Sequence, residues 1–278
     1  RLGINNFDLE LTDVDFNRGD FTGQLKHLSL EEKSGFVLDR LSVQDLKISP
    51  TELQLYDLEL VTAESSLSDS LRFSFPGGWS GWSDFNNRVR MDIRVKNSDV
   101  AIRDILYFAR KLRFNPFFRD NRRQKINIGG HYSARVNNQR GRDVELALDR
   151  YTRLQGSFGS RNIARRGSES LTLDLRRLTT NMNTLRRLIP DFTPPENFNR
   201  LGNLNFRGSF DGFFTDFFAQ GDLRTDIGRT SVAMALVTAG GSASATYRGK
   251  ITLDDFDLGT WSGNPEFGQV SLNGTIAN

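Results

Sequence analysis

Apolar and polar residues alternate with a period of two along much of the chain. In residues 88–96 every second residue is apolar, and the residues between them are Arg, Asp or Lys. Successive side chains of a β-strand point to opposite faces, so this segment has one apolar and one charged face. Similar patterns occur in residues 7–12, 52–60, 144–148 and 171–175. The alternation predicts a mainly β protein made of half-buried antiparallel strands.

Turn-forming residues separate these segments, and two stretches interrupt the alternation. Residues 17–20, 49–51 and 240–241 contain the Gly, Pro, Asn and Asp residues that favour turns. Between 104 and 112 the apolar residues follow helical spacing, and residues 184–189 form a shorter helical pattern that Pro190 ends. We therefore expect two short helical inserts in the sheet.

The two predicted inserts belong to a weak internal repeat. Each leads into a strand of similar sequence, which begins at Ile126 after the first insert and at Leu204 after the second, an offset of about 78 residues. Repeats that bury their apolar faces only against their neighbours form elongated structures. We therefore expect one elongated, repeating segment with approximate units 1–125, 126–203 and 204–278.

The charge balance and the absence of cysteine argue against several classes of function. The chain has 37 Lys and Arg against 34 Asp and Glu, a net charge of +3. This small excess gives little support for nucleic-acid binding, although the isoelectric point is near 9.3. The absence of cysteine rules out disulfides, thiol nucleophiles and zinc–thiolate sites.

The two ends of the sequence bear on whether it is complete. It begins at Arg1 with no Met or basic leader, and it has no apolar run of the roughly 18 residues that a membrane span needs. The protein is therefore either soluble or an excerpt of a longer protein whose targeting and anchor segments lie elsewhere. Because the sequence stops at Asn278 within a strand-like pattern, we favour the excerpt.

Residues that commonly perform catalysis are sparse. His27 and His131 are far apart in sequence, and neither has a second ligand at metal-binding spacing. Asp254 and Asp257 could act as the paired carboxylates of a sugar-binding or hydrolytic β-protein. Their apolar neighbours favour a strand end with outward charges instead. We expect no enzymatic activity, no metal and no cofactor.

One segment combines basic and aromatic residues. Residues 108–125 contain seven Lys and Arg and four Phe. This composition suits contact with anionic lipid or single-stranded nucleic acid, or a helix packed by its aromatic rings with arginines in solvent. The candidates for membrane or headgroup contact are Arg110, Arg113, Phe117 and Phe118.

A second aromatic cluster has six Phe between residues 206 and 218. One strand cannot place all six on the same face, because side chains alternate between faces. The rings therefore either pack in the core or cover a sheet edge or a surface that contacts acyl chains.

Several segments, taken in order, form a recognisable series. Residues 48–62 contain Ile-Ser-Pro followed by alternating leucines, and residues 98–109 read SDVAIRDILYFA. Residues 208–228 are rich in glycine, and residues 256–272 contain FDLG, NP and GQVSL. In this order they resemble the paired strands, strand-to-helix junction, hairpin series and closing element of AsmA-like and TamB-like proteins. The resemblance covers most of the chain from about Phe36 onward.

This resemblance implies a fold and a location. Proteins of this family are anchored in the inner membrane of Gram-negative bacteria by an N-terminal helix, which would lie outside this sequence. They cross the periplasm as a long, curled β-sheet that forms a groove with an apolar interior. The resemblance therefore implies a periplasmic, elongated and curled antiparallel sheet.

The resemblance also implies a function and partners. The family is implicated in moving phospholipid between the inner and outer membranes. TamB-like members are also described as partners of an outer-membrane β-barrel protein in assembling or secreting membrane proteins. We expect phospholipid transport; the alternative is a module that offers sheet edges to unfolded outer-membrane strands.

Alternate residues of the apolar face are the candidates for contact with acyl chains. Burial of each CH₂ group contributes about 0.8 kcal/mol, and an apolar wall along which lipid slides needs no specific polar contact. In a closed sandwich the same residues would be ordinary core. The candidates are Leu53, Leu55, Leu58, Leu60, Met91, Ile93, Leu146, Leu148, Leu173 and Val270.

Overall fold

The structure is a computed structural model. It describes residues 4–33, 35–108, 113–114, 116–135, 138–161, 170–188, 194–213, 216–238 and 245–277. The fifteen strands of these residues belong to one open antiparallel sheet, and their hydrogen-bonded order is their order along the chain. The mainly β fold class predicted from the alternation is therefore confirmed.

The chain forms two compact units, Arg1–Leu146 and Ala147–Asn278. The strands of the first unit are β1 (Ile4–Asn17), β2 (Asp20–Glu32), β3 (Val37–Ile48), β4 (Glu52–Thr62), β5 (Ser66–Ser74), β6 (Arg90–Ala101), β7 (Lys125–Arg135) and β8 (Asn138–Ala147). Its helices are α1 (Phe85–Arg88), α2 (Ile102–Phe108) and α3 (Pro116–Asp120), with a 3₁₀ helix at Gly78–Asp84. β1 is one edge of the sheet.

The second unit has the same kinds of element. Its strands are β9 (Arg153–Arg161), β10 (Ser170–Asn181), β11 (Asn203–Phe213), β12 (Asp216–Thr225), β13 (Gly228–Thr238), β14 (Ala245–Asp257) and β15 (Gln269–Ala277). Its helices are α4 (Met182–Leu188) and α5 (Leu258–Ser262), with a 3₁₀ helix at Glu196–Leu201. β15 is the other edge of the sheet. The units 1–125, 126–203 and 204–278 stay a prediction, as does the curling of the sheet into a groove.

The described parts of the two predicted helical inserts are present as α2 and α4, which directly continue β6 and β10. Residues 109–112 and 189 of these predictions lie outside the described residues. β14 runs into a helix in the same way, and local sequence explains the bounds of this third helix. The backbone N–H of Thr260 donates to the carboxylate of Asp257 at 2.7 Å, so Asp257 caps the start of α5. Gly263, with a φ of 77°, ends the helix in the left-handed conformation.

Bulges interrupt several strands at an Asp or Asn. Asp57, Asn97 and Asp255 have φ values of 49°, 38° and 48°. Each lies at a shift of strand register, in β4, β6 and β14 respectively. Asn and Asp tolerate this left-handed conformation better than other side chains do. In β4 the bulge keeps Leu55 and Leu58, three residues apart, on one face.

The cores of the two units are made by different elements. In the first unit Leu25, Val43, Leu46 and Leu58 of β2, β3 and β4 are buried against one another, and β5 packs against this cluster through Leu67 and Leu71. In the second unit the buried cluster lies where the short helices meet the strand ends. It consists of Met182, Leu201, Leu204 and Phe256, with Phe198 and Trp261 packed against it.

Candidate functional site

The register of the first unit lines up apolar side chains in rows that cross the strands. Residues directly opposite each other in neighbouring antiparallel strands lie on the same face. One row crosses β2 to β6 through Phe21, Ile48, Leu53, Phe73 and Met91. A parallel row crosses β3 to β6 through Leu46, Leu55, Leu71 and Ile93. The apolar face is therefore continuous across strands.

The second unit repeats this arrangement. A row crosses β9 to β13 through Phe158, Leu173, Phe210, Ala219 and Met234. All five of these residues are half-buried, so each keeps solvent-accessible surface. No member of the row belongs to the buried cluster that lies under α4 and α5.

A phenylalanine fills the gap that glycines leave in this face. Gly208 and Gly221 are paired across β11 and β12, and Phe206 precedes Gly208 by two residues on the same face. A Cβ atom added at Gly208 would lie 2.8 Å from Cζ of Phe206, and one added at Gly221 would lie 2.6 Å from it. The Phe206 ring therefore lies over both glycines. An aromatic side chain that packs over a glycine stabilises glycine in a strand.

The structure brings six of the predicted lining residues onto one face of the first unit. Leu53 and Met91 share one row, and Leu55 and Ile93 share the next. Leu60 pairs with Leu41 and Leu67 on the same face. Leu58, however, is only 2% exposed and is a core residue, whereas the other five are half-buried.

The remaining four predicted lining residues are separated. Leu173 belongs to the half-buried row of the second unit, whereas Val270 packs against the buried cluster under the helices. Leu146 lies near the end of β8, and the Leu148 backbone N–H donates to the Thr152 carbonyl in the following turn at 3.1 Å. Leu146 and Leu148 are half-buried, like Leu173 and Val270.

The four predicted headgroup contacts do not form a described cluster. Arg110 lies outside the described residues, and Phe117 lies in α3. Arg113 is exposed, with its guanidinium carbon 6.0 Å from the ring centre of Phe114, which is 82% exposed. Phe118 is half-buried. Headgroup contact by this segment stays a prediction.

The described rings of the Phe cluster at 206–218 divide between the two faces, whereas Phe214 lies outside the described residues. Phe206, Phe210 and Phe217 point to the apolar face, and the ring centres of Phe210 and Phe217 are 4.8 Å apart. Phe218 points the other way and is 43% exposed. Alternation along β12 therefore separates two neighbouring rings.

A polar pocket of about 740 Å³ lies in the second unit, beside the start of α4. Asp149 lies at its wall and accepts hydrogen bonds from the backbone N–H groups of Tyr151 and Thr152, at 2.8 Å and 2.6 Å. Arg187 also donates to it, at 2.6 Å. Burial raises the pKa of Asp149, but these donors outweigh burial and hold the pKa below its ordinary value. Asp149 therefore anchors α4 to the turn before β9.

Replacing Asp149 with Asn should lower the free energy of unfolding by about 2 kcal/mol at pH 7, because charge-assisted hydrogen bonds are lost. A depressed folded-state pKa stabilises the protein above the ordinary value of 3.8. This stabilisation disappears as the pH falls through the folded-state pKa. Urea unfolding at pH 7 and at pH near 3 should therefore show a difference between the two proteins that shrinks in acid. A difference independent of pH would contradict this role of the carboxylate.

The remaining candidate chemical groups have structural partners. His131 lies 3.0 Å from Asp92, and His27 lies 3.8 Å from Asp8. The Thr260 backbone N–H is the main cause of the lowered pKa of Asp257, which caps α5. Among the described residues, no three His, Asp or Glu side chains lie together in an arrangement suited to a metal ion.

Comparison with known proteins adds no identification. No family model, no curated protein and no solved structure matches this chain. In the described part of the chain, no helix has the length and apolar character needed to cross a membrane.

Proposed function

We propose that this chain is a segment of a periplasmic lipid-conducting groove, which shields the acyl chains of phospholipids during transport between the inner and outer membranes. The observation that carries this proposal is the row of half-buried apolar side chains that crosses β9 to β13. A similar row in the first unit supports it. The resemblance to AsmA-like and TamB-like proteins supplies the periplasmic setting.

The dimensions of these rows suit an acyl chain. Neighbouring strands are about 4.8 Å apart, so a row over five strands extends about 19 Å across the sheet. Each CH₂ group that leaves water for this surface contributes about 0.8 kcal/mol. The row of the second unit offers Phe, Leu, Ala and Met side chains without a charged residue among them, so a lipid tail meets a uniform surface.

A photo-crosslinking amino acid at Ile93 tests this proposal. Ile93 is half-buried in an apolar row, whereas Arg94 is exposed on the opposite face of the same strand and is the matched control. In cells, the Ile93 probe should form adducts with phospholipid that mass spectrometry detects. The Arg94 probe should form at least about ten-fold fewer adducts, because contact with a charged face gives an acyl chain little favourable free energy. Leu173 provides the equivalent site in the second unit.

Two outcomes would count against the lipid groove. Equal lipid capture at both positions would show non-specific labelling, and crosslinks to side chains of this protein alone would show a closed interior. Either result would leave the apolar rows as ordinary core packing.

The alternative is a module that adds an unfolded strand to the edge of its sheet. All but one of the fourteen residues of the edge strand β1 are exposed, including Phe7 and Leu9. An edge strand has unpaired backbone groups that can bind an extended peptide. A crosslinker at Leu9 distinguishes the two functions: capture of unfolded polypeptide there, with no lipid at Ile93, would favour strand addition.

A further inference from the structure

The charge of the first unit changes sign along its sequence. Residues 1–65 contain thirteen Asp and Glu against six Lys and Arg, whereas residues 66–146 contain eight against sixteen. Because the strands lie in the sheet in chain order, the acidic part corresponds to β1–β4 and the basic part to β5–β8 and their connections. β6 and β7 themselves contain five Lys and Arg against two Asp, so they would attract an anion.

Two arginines face each other at one end of this basic region. Arg90 begins β6 and Arg135 ends β7, and the register places them directly opposite each other. In this geometry their Cβ atoms are about 5 Å apart, and like charges at that separation destabilise a sheet. Both side chains are exposed, and in the described part of the chain neither makes an ion pair with an acidic side chain.

The other charged groups beside this pair already have partners. Glu52 accepts a hydrogen bond from Arg72 and pairs with it. Asp92 lies 3.0 Å from the imidazole Nε2 of His131. Asp92 lines the same depression as the arginine pair, but Glu52 and Asp92 each have another partner and neither forms an ion pair with Arg90 or Arg135.

The arginine pair lies at a depression of about 440 Å³ that also contains neutral hydrogen-bond donors. The hydroxyl group of Ser133 and the amide of Asn138 line it with Arg90 and Arg135. Arg72, Ser74, Met91 and Asp92 also line it, and the Ser74 hydroxyl donates to Glu52. Guanidinium groups bind phosphate oxygens through paired, charge-assisted hydrogen bonds. Hydroxyl and amide donors can occupy the oxygens that the guanidinium groups leave free.

We propose that Arg90 and Arg135 form a binding site for a phosphate dianion on the charged face of the first unit. A bound dianion converts the repulsion between the two guanidinium groups into two attractions. The phosphate is either free in solution or part of a lipid headgroup. The site lies on the face opposite the apolar rows, because Arg90 and Met91 are consecutive in β6. It therefore stands independently of the lipid groove.

Titration with inorganic phosphate at low ionic strength, followed by calorimetry, tests the site. Arg90→Gln and Arg135→Gln should each weaken binding about ten-fold, since the loss of one charge-assisted hydrogen-bond pair is of that order. Arg94→Gln is the matched control, because it removes the same charge from the same face of β6 outside the depression. It should change the affinity less than about two-fold, as expected of a screened surface charge.

Thermal unfolding gives a second, independent result. Without phosphate, Arg90→Gln should unfold at the same temperature as the wild type or higher, because the repulsion with Arg135 is relieved. With phosphate, the unfolding temperature of the wild type should rise and that of Arg90→Gln should not, because only a bound ligand stabilises the folded state. The unfolding temperature of Arg90→Gln without phosphate also shows that this variant is folded.

Vesicles distinguish the two sources of phosphate. Binding to phosphatidylcholine vesicles that contain phosphatidic acid, lost in Arg90→Gln and absent with phosphatidylcholine alone, would assign the site to a lipid headgroup. Arg90-dependent binding of inorganic phosphate without vesicle binding would assign it to the free ion. The proposal is overturned if phosphate binding does not saturate, or if Arg94→Gln weakens binding as much as Arg90→Gln does.

Discussion

Replacing Leu58 with Ala will lower the free energy of unfolding by about 3 kcal/mol, whereas Ile93→Ala will cost about 1 kcal/mol. Leu58 is 2% exposed and lies in the cluster with Leu25, Val43 and Leu46, so its removal leaves a cavity. Ile93 is half-buried, so truncation removes less buried surface and water can fill the space. Urea unfolding together with hydrogen exchange of the β4 amides measures both changes.

Lipid capture also separates core residues from lining residues. Leu58→Ala should leave capture by the Ile93 probe unchanged per folded molecule. With the photo-crosslinking amino acid at Leu55, in the same row as Ile93, Ile93→Asp should strongly lower lipid capture, because a carboxylate cannot be buried beside an acyl chain without a partner. If Leu58→Ala costs less than about 1 kcal/mol, the Leu58 side chain is not tightly packed. Leu58 would then return to the candidates for lipid contact.

Gly221→Ala will destabilise the second unit by about 3 kcal/mol, at the upper end of the usual cost of overpacking. The added methyl group would lie 2.6 Å from Cζ of Phe206, and it would also clash with the backbone carbonyl oxygen of Arg207. The ring therefore has to leave its position across the glycine pair, and the strand has to shift. Urea unfolding of the full chain, followed by hydrogen exchange of the β11 and β12 amides, measures this loss.

Gly274→Ala is the matched control for this prediction. Gly274 lies in β15, and the nearest atom to an added Cβ is Cδ1 of Leu272 at 3.9 Å, an ordinary van der Waals contact. This variant should stay within about 0.5 kcal/mol of the wild type. Adding Phe206→Leu to Gly221→Ala should recover about 1 kcal/mol in a double-mutant cycle. Strict additivity would show that the Phe206 ring does not cover Gly221.

The strands could be predicted because their signal is local. In residues 88–96 the alternation specifies which side chains share a face, whatever the strand pairs with, and β6 has the predicted extent within a few residues. α2 and α4 could be predicted for the same reason, since helical spacing is also local. α1, α3 and α5 have five residues or fewer, too short for a periodic pattern, and were not predicted.

The bulges were not predicted, although the sequence contains their signal. At Leu55 and Leu58 the spacing of apolar residues changes from two to three, and Asp57 precedes the second leucine. Asn97 and Ser98 break the alternation of β6 in the same way. An Asp or Asn at a break in period-two alternation is therefore a usable sign of a bulge with a left-handed residue.

The arginine pair could not be predicted from the spacing of residues in the sequence. Arg90 and Arg135 are separated by forty-four residues, including a helical insert, and only the register of β6 against β7 places them opposite each other. The same limit applies to the rows of the apolar face, where Leu53 and Met91 come together through Phe73. Register depends on loop lengths and bulges, which alternation does not encode.

The sequence by itself determined that this protein is mainly β, that each strand has an apolar and a charged face, and that two helices interrupt the sheet. These properties follow from side-chain geometry within one strand or helix. The tertiary structure alone decided that Leu58 is core while Ile93 keeps exposed surface, and that two unpaired arginines meet. Burial and electrostatic partners depend on which strands are neighbours, and that is a property of the whole sheet.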